Sequence, residues 1–276
     1  MSLAKHFPRK RLGQHWLKDN LILNKIIKAA ELTSDDRVLE IGPGKGSLTH
    51  CLLSTSINSL YAIELDKNLI QGLNNRFACN SRFSLLQGDF LTPSLFSFDQ
   101  VNANKVVANI PYNITGPILD KLLGSLGSSQ VYRFDRLVLL MQKEVADRIL
   151  AKPGQSIFSA LTVRIQLLSK CKDVCSVPPS CFYPPPKVHS KVVVFEPLPD
   201  TERLSAELEI KIDHLLTHAF RYRRKKLRNS LLSIAPLDVL SSIAKDNGFT
   251  LDQRPQELSK IQWVDLANKL ILKNIS

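Results

Sequence analysis

Between residues 21 and 142 the chain alternates short apolar runs with segments of helical spacing, and this alternation restricts the fold more than any other feature. "RVLEIG", "SLYAIEL", "FSLLQGD", "KVVANI" and "DRLVLLM" read as five strands. Between or before them, "NLILNKIIKAAEL" has Leu21, Ile22, Ile26, Ile27 and Ala30 at helical spacing, with Asp19 placed to cap it. "GSLTHCLLS", "DKNLIQGLNNRF", which Asp66 opens, and "GPILDKLLGSL" complete the helical set. Strand, helix and strand in regular succession predict a parallel, doubly wound α/β sheet.

The pattern changes after Lys152-Pro153-Gly154. "SIFSALTVRIQLLS" is helical, and "CKDVCSV" and "KVVVFEP" read as strands joined through "PPSCFYPPPKVHS", which predicts an antiparallel addition at the sheet edge. Beyond the linker "PLPDTERLS" only helical patterns follow: "AELEIKIDHLLTHAF", "RRKKLRNSLLSI", "LDVLSSIAKDNGF" and "SKIQWVDLANKLILK". We therefore expect an α/β domain over residues 1–198 and a small helical, RNA-binding domain over residues 199–276.

Three strand ends carry matching chemistry. In "VLEIGPGKGSLT" Gly42, Gly44 and Gly46 follow a strand and open a helix, so that a tight turn can bring its N–H groups close to a ligand. Glu64, 22 positions after Gly42 at the end of the next strand, suits the two hydroxyls of a ribose, and Asp89 suits an adenine amino group. Ser47 stands where a dinucleotide fingerprint has its third glycine, which modestly favours S-adenosylmethionine over a dinucleotide. The fourth strand runs into Asn109-Ile110-Pro111-Tyr112, an amide, a rigid residue and an aromatic in one turn.

The chain carries 37 Lys and Arg against 25 Asp and Glu, a net charge of +12. Much of the surplus lies in "KHFPRKR" and in "FRYRRKKLRNSL", where Arg221, Arg223, Arg224, Lys225, Lys226 and Arg228 fall within eight residues. A polyanion is the natural partner of such a run; a solvated helix face is the plainer reading. No run of eighteen apolar residues exists and the N-terminus lacks an apolar central block, so the expectation is a cytoplasmic protein without membrane contact. Cys51, Cys79, Cys171, Cys175 and Cys181 fit no common zinc spacing and read as idle thiols, so no metal is expected. His214 and His218 lack the glutamate of a zinc-protease helix, and Lys143-Glu144 reads equally as a surface ion pair.

"LGQHWL", "VLEIGPGKGSLT", "AIELD", "QGD", "NIPYNIT", "LLMQKEVADRI", "CFYPPPKVHS" and "FRYRRKKLRNSL" appear in the order seen in the KsgA-type small-subunit ribosomal RNA adenine dimethyltransferases, and the chain resembles that family from about residue 11 to 231. The resemblance implies a class I methyltransferase fold, S-adenosylmethionine as donor, and dimethylation of N6 on two adjacent adenosines near the 3′ end of 16S rRNA. It implies cofactor contacts at His15, Leu17, Gly42, Glu64, Asp89 and Asn109, to which the glycine turn adds Gly44. The family motif usually reads Gly-Gln-Asn-Phe-Leu where this chain has His15 and Trp16, and usually has Thr at Lys226.

On that reading Asn109 and a neighbouring carbonyl, that of Ile110, accept the N6 hydrogens, Pro111 keeps the carbonyl aimed, and Tyr112 stacks on the extruded base. Phe182 is expected either to close over the opposite face of the base or to be a core aromatic. The enzyme is expected to act as a monomer on the assembling small subunit. Two alternatives remain open at this point: a methyltransferase acting on 23S rRNA, and a non-enzymatic RNA-holding factor, which the intact Gly42, Glu64, Asp89 and Asn109 disfavour.

Overall fold

A computed structural model describes residues 14–92, 101–128 and 134–273. The basic cluster "KHFPRKR" lies outside the described residues.

The five expected strands form at Arg37–Ile41 (β2), Ser59–Glu64 (β3), Phe83–Gln87 (β4), Lys105–Asn109 (β5) and Arg136–Gln142 (β6), following a two-residue strand, Trp16–Leu17 (β1). Ser169–Val177 (β7) and Ser190–Pro197 (β9) complete a seven-stranded sheet of order β4-β3-β2-β5-β6-β9-β7. The β2–β3, β2–β5, β3–β4 and β5–β6 pairs are parallel, and β9 runs antiparallel to β6. The later strand β9 lies inside the sheet, and β7 takes the edge.

Helices Asn20–Ala30 (α1), Ser47–Leu53 (α2), Lys67–Phe77 (α3) and Thr115–Leu123 (α4) follow the expected order. Asp19 caps α1 by accepting from Leu21 N at 2.9 Å and Ile22 N at 3.1 Å, and Asp66 caps α3 through Asn68 N at 3.1 Å. Such a cap satisfies orphan first-turn N–H groups and contributes about 1 kcal/mol. Ile22, Leu23 and Ile26 of α1 bury against Leu52, Leu60, Val107 and Val192, which gathers one apolar core beneath the strands. At the other end of β2 and β5, Lys105 Nζ and Asp36 Oδ2 form a buried ion pair at 2.9 Å. Reversal of the chain between strand ends therefore places all the loops after β2, β3, β4 and β5 on one edge, as in any parallel sheet.

Two compact units divide the described residues: 14–92, 101–122, 134–146 and 171–197 make one, and 123–128, 147–170 and 198–273 make the other. The second contains Ala160–Leu168 (α6), Ala206–Arg221 (α7), Leu237–Asp246 (α9) and Lys260–Leu272 (α10); Lys143–Ile149 (α5) runs across the boundary in sequence. Trp263 is fully buried there, and Arg203 pairs with the buried Glu209 at 2.6 Å. The helix expected over "RRKKLRNSLLSI" shrinks to one turn, Leu227–Ser230 (α8), because Lys226 is extended with φ −66° and ψ 153°. No helix among the described residues is long and apolar enough to cross a membrane, and all five cysteines are free thiols.

One element was not legible in the sequence. β1 pairs antiparallel with Phe182–Tyr183 (β8), Trp16 opposite Tyr183 and Leu17 opposite Phe182, forming a separate two-stranded sheet.

Candidate active site

A cleft opens along the carboxyl ends of β2, β3, β4 and β5 and is closed on one side by the residues around β1. Its lining includes Gly42 and Gly44 after β2, Glu64 and Leu65 after β3, Asp89 and Phe90 after β4, and Asn109 to Ile114 after β5. Gln14, His15 and Trp16 supply the remaining wall. This is the crevice in which open α/β sheets bind ligands, and the order of the sheet reverses there, between β2 and β5.

The turn after β2 is held by its neighbours. Gly42, Gly44 and Gly46 all have positive φ, at 69°, 60° and 79°. At Gly44 a Cβ would meet Trp16 Cδ1 at 2.6 Å, and at Gly46 one would meet Phe77 Cε2 at 2.6 Å, so both backbone conformation and space require glycine. Trp16, the family departure, therefore packs directly against the turn, and Lys45 Nζ sits 4.3 Å over its ring.

Glu64 is buried and uses both oxygens: Oε2 accepts from Gly44 N at 3.0 Å and Oε1 from Asp66 N at 2.8 Å. Burial raises its pKa, and the two N–H donors partly offset that rise. Each oxygen retains a second lone pair, so the carboxylate can still accept from hydroxyls in the cleft. Below it Glu40 is fully buried, accepts from Thr49 Oγ1 at 2.6 Å, and is pushed up to about 8 by burial, with the nearby Glu64 charge acting in the same direction. Asp89 lines the cleft while its Oδ1 accepts from Leu91 N at 2.8 Å. Lys121 of α4 holds this loop from behind, donating to Phe90 O with its ammonium 4.7 Å over the Phe90 ring.

Asn109 Nδ2 donates to His15 O at 2.8 Å, which orients the amide and leaves Oδ1 as an acceptor in the cleft. Ile110 N donates to Leu140 O at 3.1 Å, and Pro111 follows at φ −60°, so the peptide after Asn109 is pinned on both sides. Tyr112 is fixed by a 2.5 Å contact between its hydroxyl and Ser190 Oγ, and its pKa is raised by burial. The His15 ring stacks on Tyr112 with centroids 5.5 Å apart. Its Nδ1 lies 2.8 Å from Pro184 O and, since a carbonyl only accepts, carries the hydrogen. His15 thus reaches Asn109 through its backbone and Tyr112 and Pro184 through its ring.

Gly42, Gly44, Glu64, Asp89, Asn109, Pro111, Tyr112 and His15 are therefore brought together. Leu17 is not: its side chain is 4% exposed and belongs to the apolar core. Phe182 is also core, at 1% exposed, because the pairing with Leu17 turns both side chains inward; the base-covering alternative is corrected accordingly. Sequence reasoning missed Trp16, Leu65 and Phe90 as lining and Lys121 as a support. Leu65 and Phe90 directly follow the two acidic strand ends, a signal that was present, whereas Lys121 depends on how α4 packs.

The basic run divides by partner. Arg223 Nη2 donates to Ser156 O and, at 3.0 Å, to Phe158 O, which makes it a clamp rather than a free cation. Lys226 and Arg228 share Asp252 at 3.1 and 3.2 Å. Arg221, Arg224 and Lys225 are exposed and form no ion pair among the described residues. No cluster of metal-ligating side chains occurs among the described residues.

Residues 5–272 match the family model for ribosomal RNA adenine dimethylase. The chain is 58% identical over 270 residues to a ribosomal RNA small subunit methyltransferase A from Prochlorococcus marinus (strain MIT 9211), covering 98% of this chain and 96% of that one. A protein of the same name from Synechococcus sp. (strain CC9605) is 53% identical, covering 98% of each chain. The crystal structure of a dimethyladenosine transferase from Plasmodium falciparum superposes with a TM-score of 0.77 at 30% identity, covering 95% of this chain and 99% of that one. The fold is that of the class I methyltransferases, with the parallel sheet and antiparallel addition described above. The chain belongs to the ribosomal RNA adenine dimethylase family.

Proposed function

We propose that this protein uses S-adenosylmethionine to dimethylate N6 of two adjacent adenosines near the 3′ end of 16S rRNA during small-subunit biogenesis. The observation that carries this reading is the Asn109 amide, which spends its N–H on His15 O and so presents an oxygen, not a nitrogen, to the cleft. An amine that must be methylated needs acceptors for its hydrogens; a donor group there would repel them.

The residues present fit the donor molecule. Glu64 is a buried carboxylate with spare lone pairs for two vicinal hydroxyls, Leu65 is 48% exposed beside it as an apolar face for a purine, and Asp89 can accept from an exocyclic amine. The glycine turn leaves open space at Gly42, where a Cβ would meet nothing within 4 Å. When bound, S-adenosylmethionine supplies an electrophilic methyl group.

The chain's own task is orientation. The lone pair of an adenine amine is delocalised into the ring. Asn109 Oδ1 and the Ile110 carbonyl, by accepting N6 hydrogens, favour the geometry in which that pair points out of conjugation toward the donor. Tyr112, anchored at Ser190, offers the face on which the extruded base stacks, worth about 1–3 kcal/mol. No protein base is required, because the methylated cationic amine is acidic enough to lose its proton to water. Exposed Arg221, Arg224 and Lys225 supply phosphate contacts. The same reading takes the enzyme as a cytoplasmic monomer acting on the assembling subunit.

The test is mass spectrometry of rRNA from separated small and large subunits after incubation with protein and donor. Dimethyladenosine at two neighbouring positions of the small-subunit RNA is the expected result. Methylation confined to large-subunit RNA, or none in either, overturns the reading.

A further inference from the structure

We propose that Tyr183 is the stacking platform for the nucleotide next to the one being methylated, an inference that rests on the rRNA reading above. The β1–β8 pair has four side chains, and three of them are buried: Trp16 at 8%, Leu17 at 4% and Phe182 at 1%. Tyr183 is 53% exposed. Its ring lies against Trp16 with centroids 6.4 Å apart and planes inclined by 24°, and Trp16 lines the cleft. One face of Tyr183 is thus backed by a buried indole at the cleft wall while the ring remains open to solvent.

The adjoining segment has the composition of a nucleic-acid contact. Lys187, Val188 and His189 are exposed on the same connection, so a cation able to meet phosphate and an aromatic able to meet a base share one short segment of chain. Pro184, next to Tyr183, holds the His15 ring through its carbonyl, and His15 stacks on Tyr112. The platform and the site of the extruded base are therefore linked by two ring stacks and one hydrogen bond, all within one compact unit.

A reaction on two adjacent adenosines gives this platform a task. Extruding one base removes a stacking partner from its neighbour, which is unfavourable. A fixed aromatic at the rim restores that partner and does so for either base, because stacking on a ring face tolerates sequence. Phe182 cannot serve, being sealed in the core, and Tyr112 is taken by the extruded base itself.

The test uses the full-length protein and small subunits reconstituted with rRNA carrying either both adenosines or one adenosine beside an abasic nucleotide. Transfer to the remaining adenosine is followed for wild type, Tyr183→Phe, Tyr183→Leu and Tyr183→Ala, with donor affinity measured separately by equilibrium dialysis. On intact RNA, kcat/KM for RNA should fall roughly 5- to 150-fold in Tyr183→Ala and Tyr183→Leu, the range spanned by one base–aromatic stack, and stay within about twofold in Tyr183→Phe. On the abasic substrate wild type should fall to the level of Tyr183→Ala. An equal penalty on both substrates, or none on either, overturns the proposal, as does a matching loss of donor affinity that accounts for the whole effect through Trp16. Should Tyr183→Ala fail to fold, Tyr183→Leu carries the comparison. Absence of methyl transfer by wild type to small-subunit RNA refutes the rRNA reading itself; an active wild type with indifferent Tyr183 variants refutes only the platform.

Discussion

Gly44 N donates to Glu64 Oε2 at 3.0 Å, tying the turn after β2 to the end of β3. The same carboxylate binds Asp66 N through Oε1, so one buried side chain organises two strand-end loops. Glu64→Gln keeps the shape but replaces one acceptor oxygen with a donor that opposes an N–H. Donor affinity should fall about 10- to 100-fold, in keeping with about 1–3 kcal/mol for leaving a buried polar group unsatisfied. Calorimetric titration with S-adenosylhomocysteine checks this. Unchanged affinity would remove Glu64 from the donor site.

Beneath it, Glu40 gives the fold a pH dependence. Its carboxyl is pushed from 4.5 up to about 8, chiefly by burial, against the opposing hydrogen bond from Thr49. Between those two values the native state holds a proton that the unfolded chain has lost, so Glu40 lowers stability progressively as pH rises through that window. Glu40→Gln mimics the protonated acid and can still accept from Thr49. Melting temperature should therefore decline less steeply in Glu40→Gln than in wild type between about pH 5 and 8. Parallel curves would show that Glu40 is not protonated in the native protein.

These two glutamates also show what could be read from the chain alone. Strand periodicity and the spacing from Gly42 to Glu64 expose the sheet and the Gly42–Glu64 side of the cleft, because local pattern and one crossover determine them. Phe182 and Tyr183 were not legible in the same way. Which of two adjacent aromatics faces the core depends on the register of β8 against β1, and β1 lies 166 residues earlier in the chain. A one-residue slip would exchange them. Arg223 escaped for a related reason, since a basic run has no local mark that separates a cation clamped to distant carbonyls from its solvated neighbours.

Neutralising Arg223 and neutralising its neighbours should therefore have different consequences. Arg223→Met removes charge-assisted bonds to Ser156 O and Phe158 O and should lower the melting temperature by several degrees while leaving the salt dependence of RNA binding intact. Replacing Arg221, Arg224 and Lys225 by Gln should leave melting nearly unchanged and flatten the slope of log K against log salt by about 2, roughly 0.7 for each phosphate no longer neutralised. Filter-binding titrations across a salt series, beside thermal melts, separate the two. Equal salt slopes for wild type and the triple variant would turn this segment away from RNA.

Lys121 offers a test of support from behind the cleft. It donates to Phe90 O and covers the Phe90 ring, and burial lowers its pKa while the Asp89 charge opposes that shift. Lys121→Met preserves the apolar stem and removes the ammonium. The loop carrying Asp89 and Phe90 should loosen, raising KM for the donor about 3- to 10-fold with kcat for bound substrate within about twofold. A drop in kcat with an unchanged donor KM would place Lys121 in the chemistry instead.

Asn109 is where the oxygen-acceptor argument is most exposed. Asn109→Ala removes both the hydrogen bond to His15 O and the acceptor, whereas Asn109→Asp restores an acceptor and sets a carboxylate oxygen against His15 O, which is repulsive. If orientation of the amine is what the side chain provides, kcat should fall about 100- to 1,000-fold in Asn109→Ala, the usual cost of removing one aimed polar group, with RNA affinity within about twofold of wild type. Asn109→Asp should recover part of that activity only if its acceptor stays aimed. Single-turnover rates with saturating donor give the chemical step, and gel-shift titration gives RNA binding. Because Tyr112 remains anchored at Ser190 in both variants, the base should still be captured, and the defect should show as slow transfer from a normally populated complex. Undiminished single-turnover rates in Asn109→Ala would leave the amine to be oriented by backbone carbonyls alone.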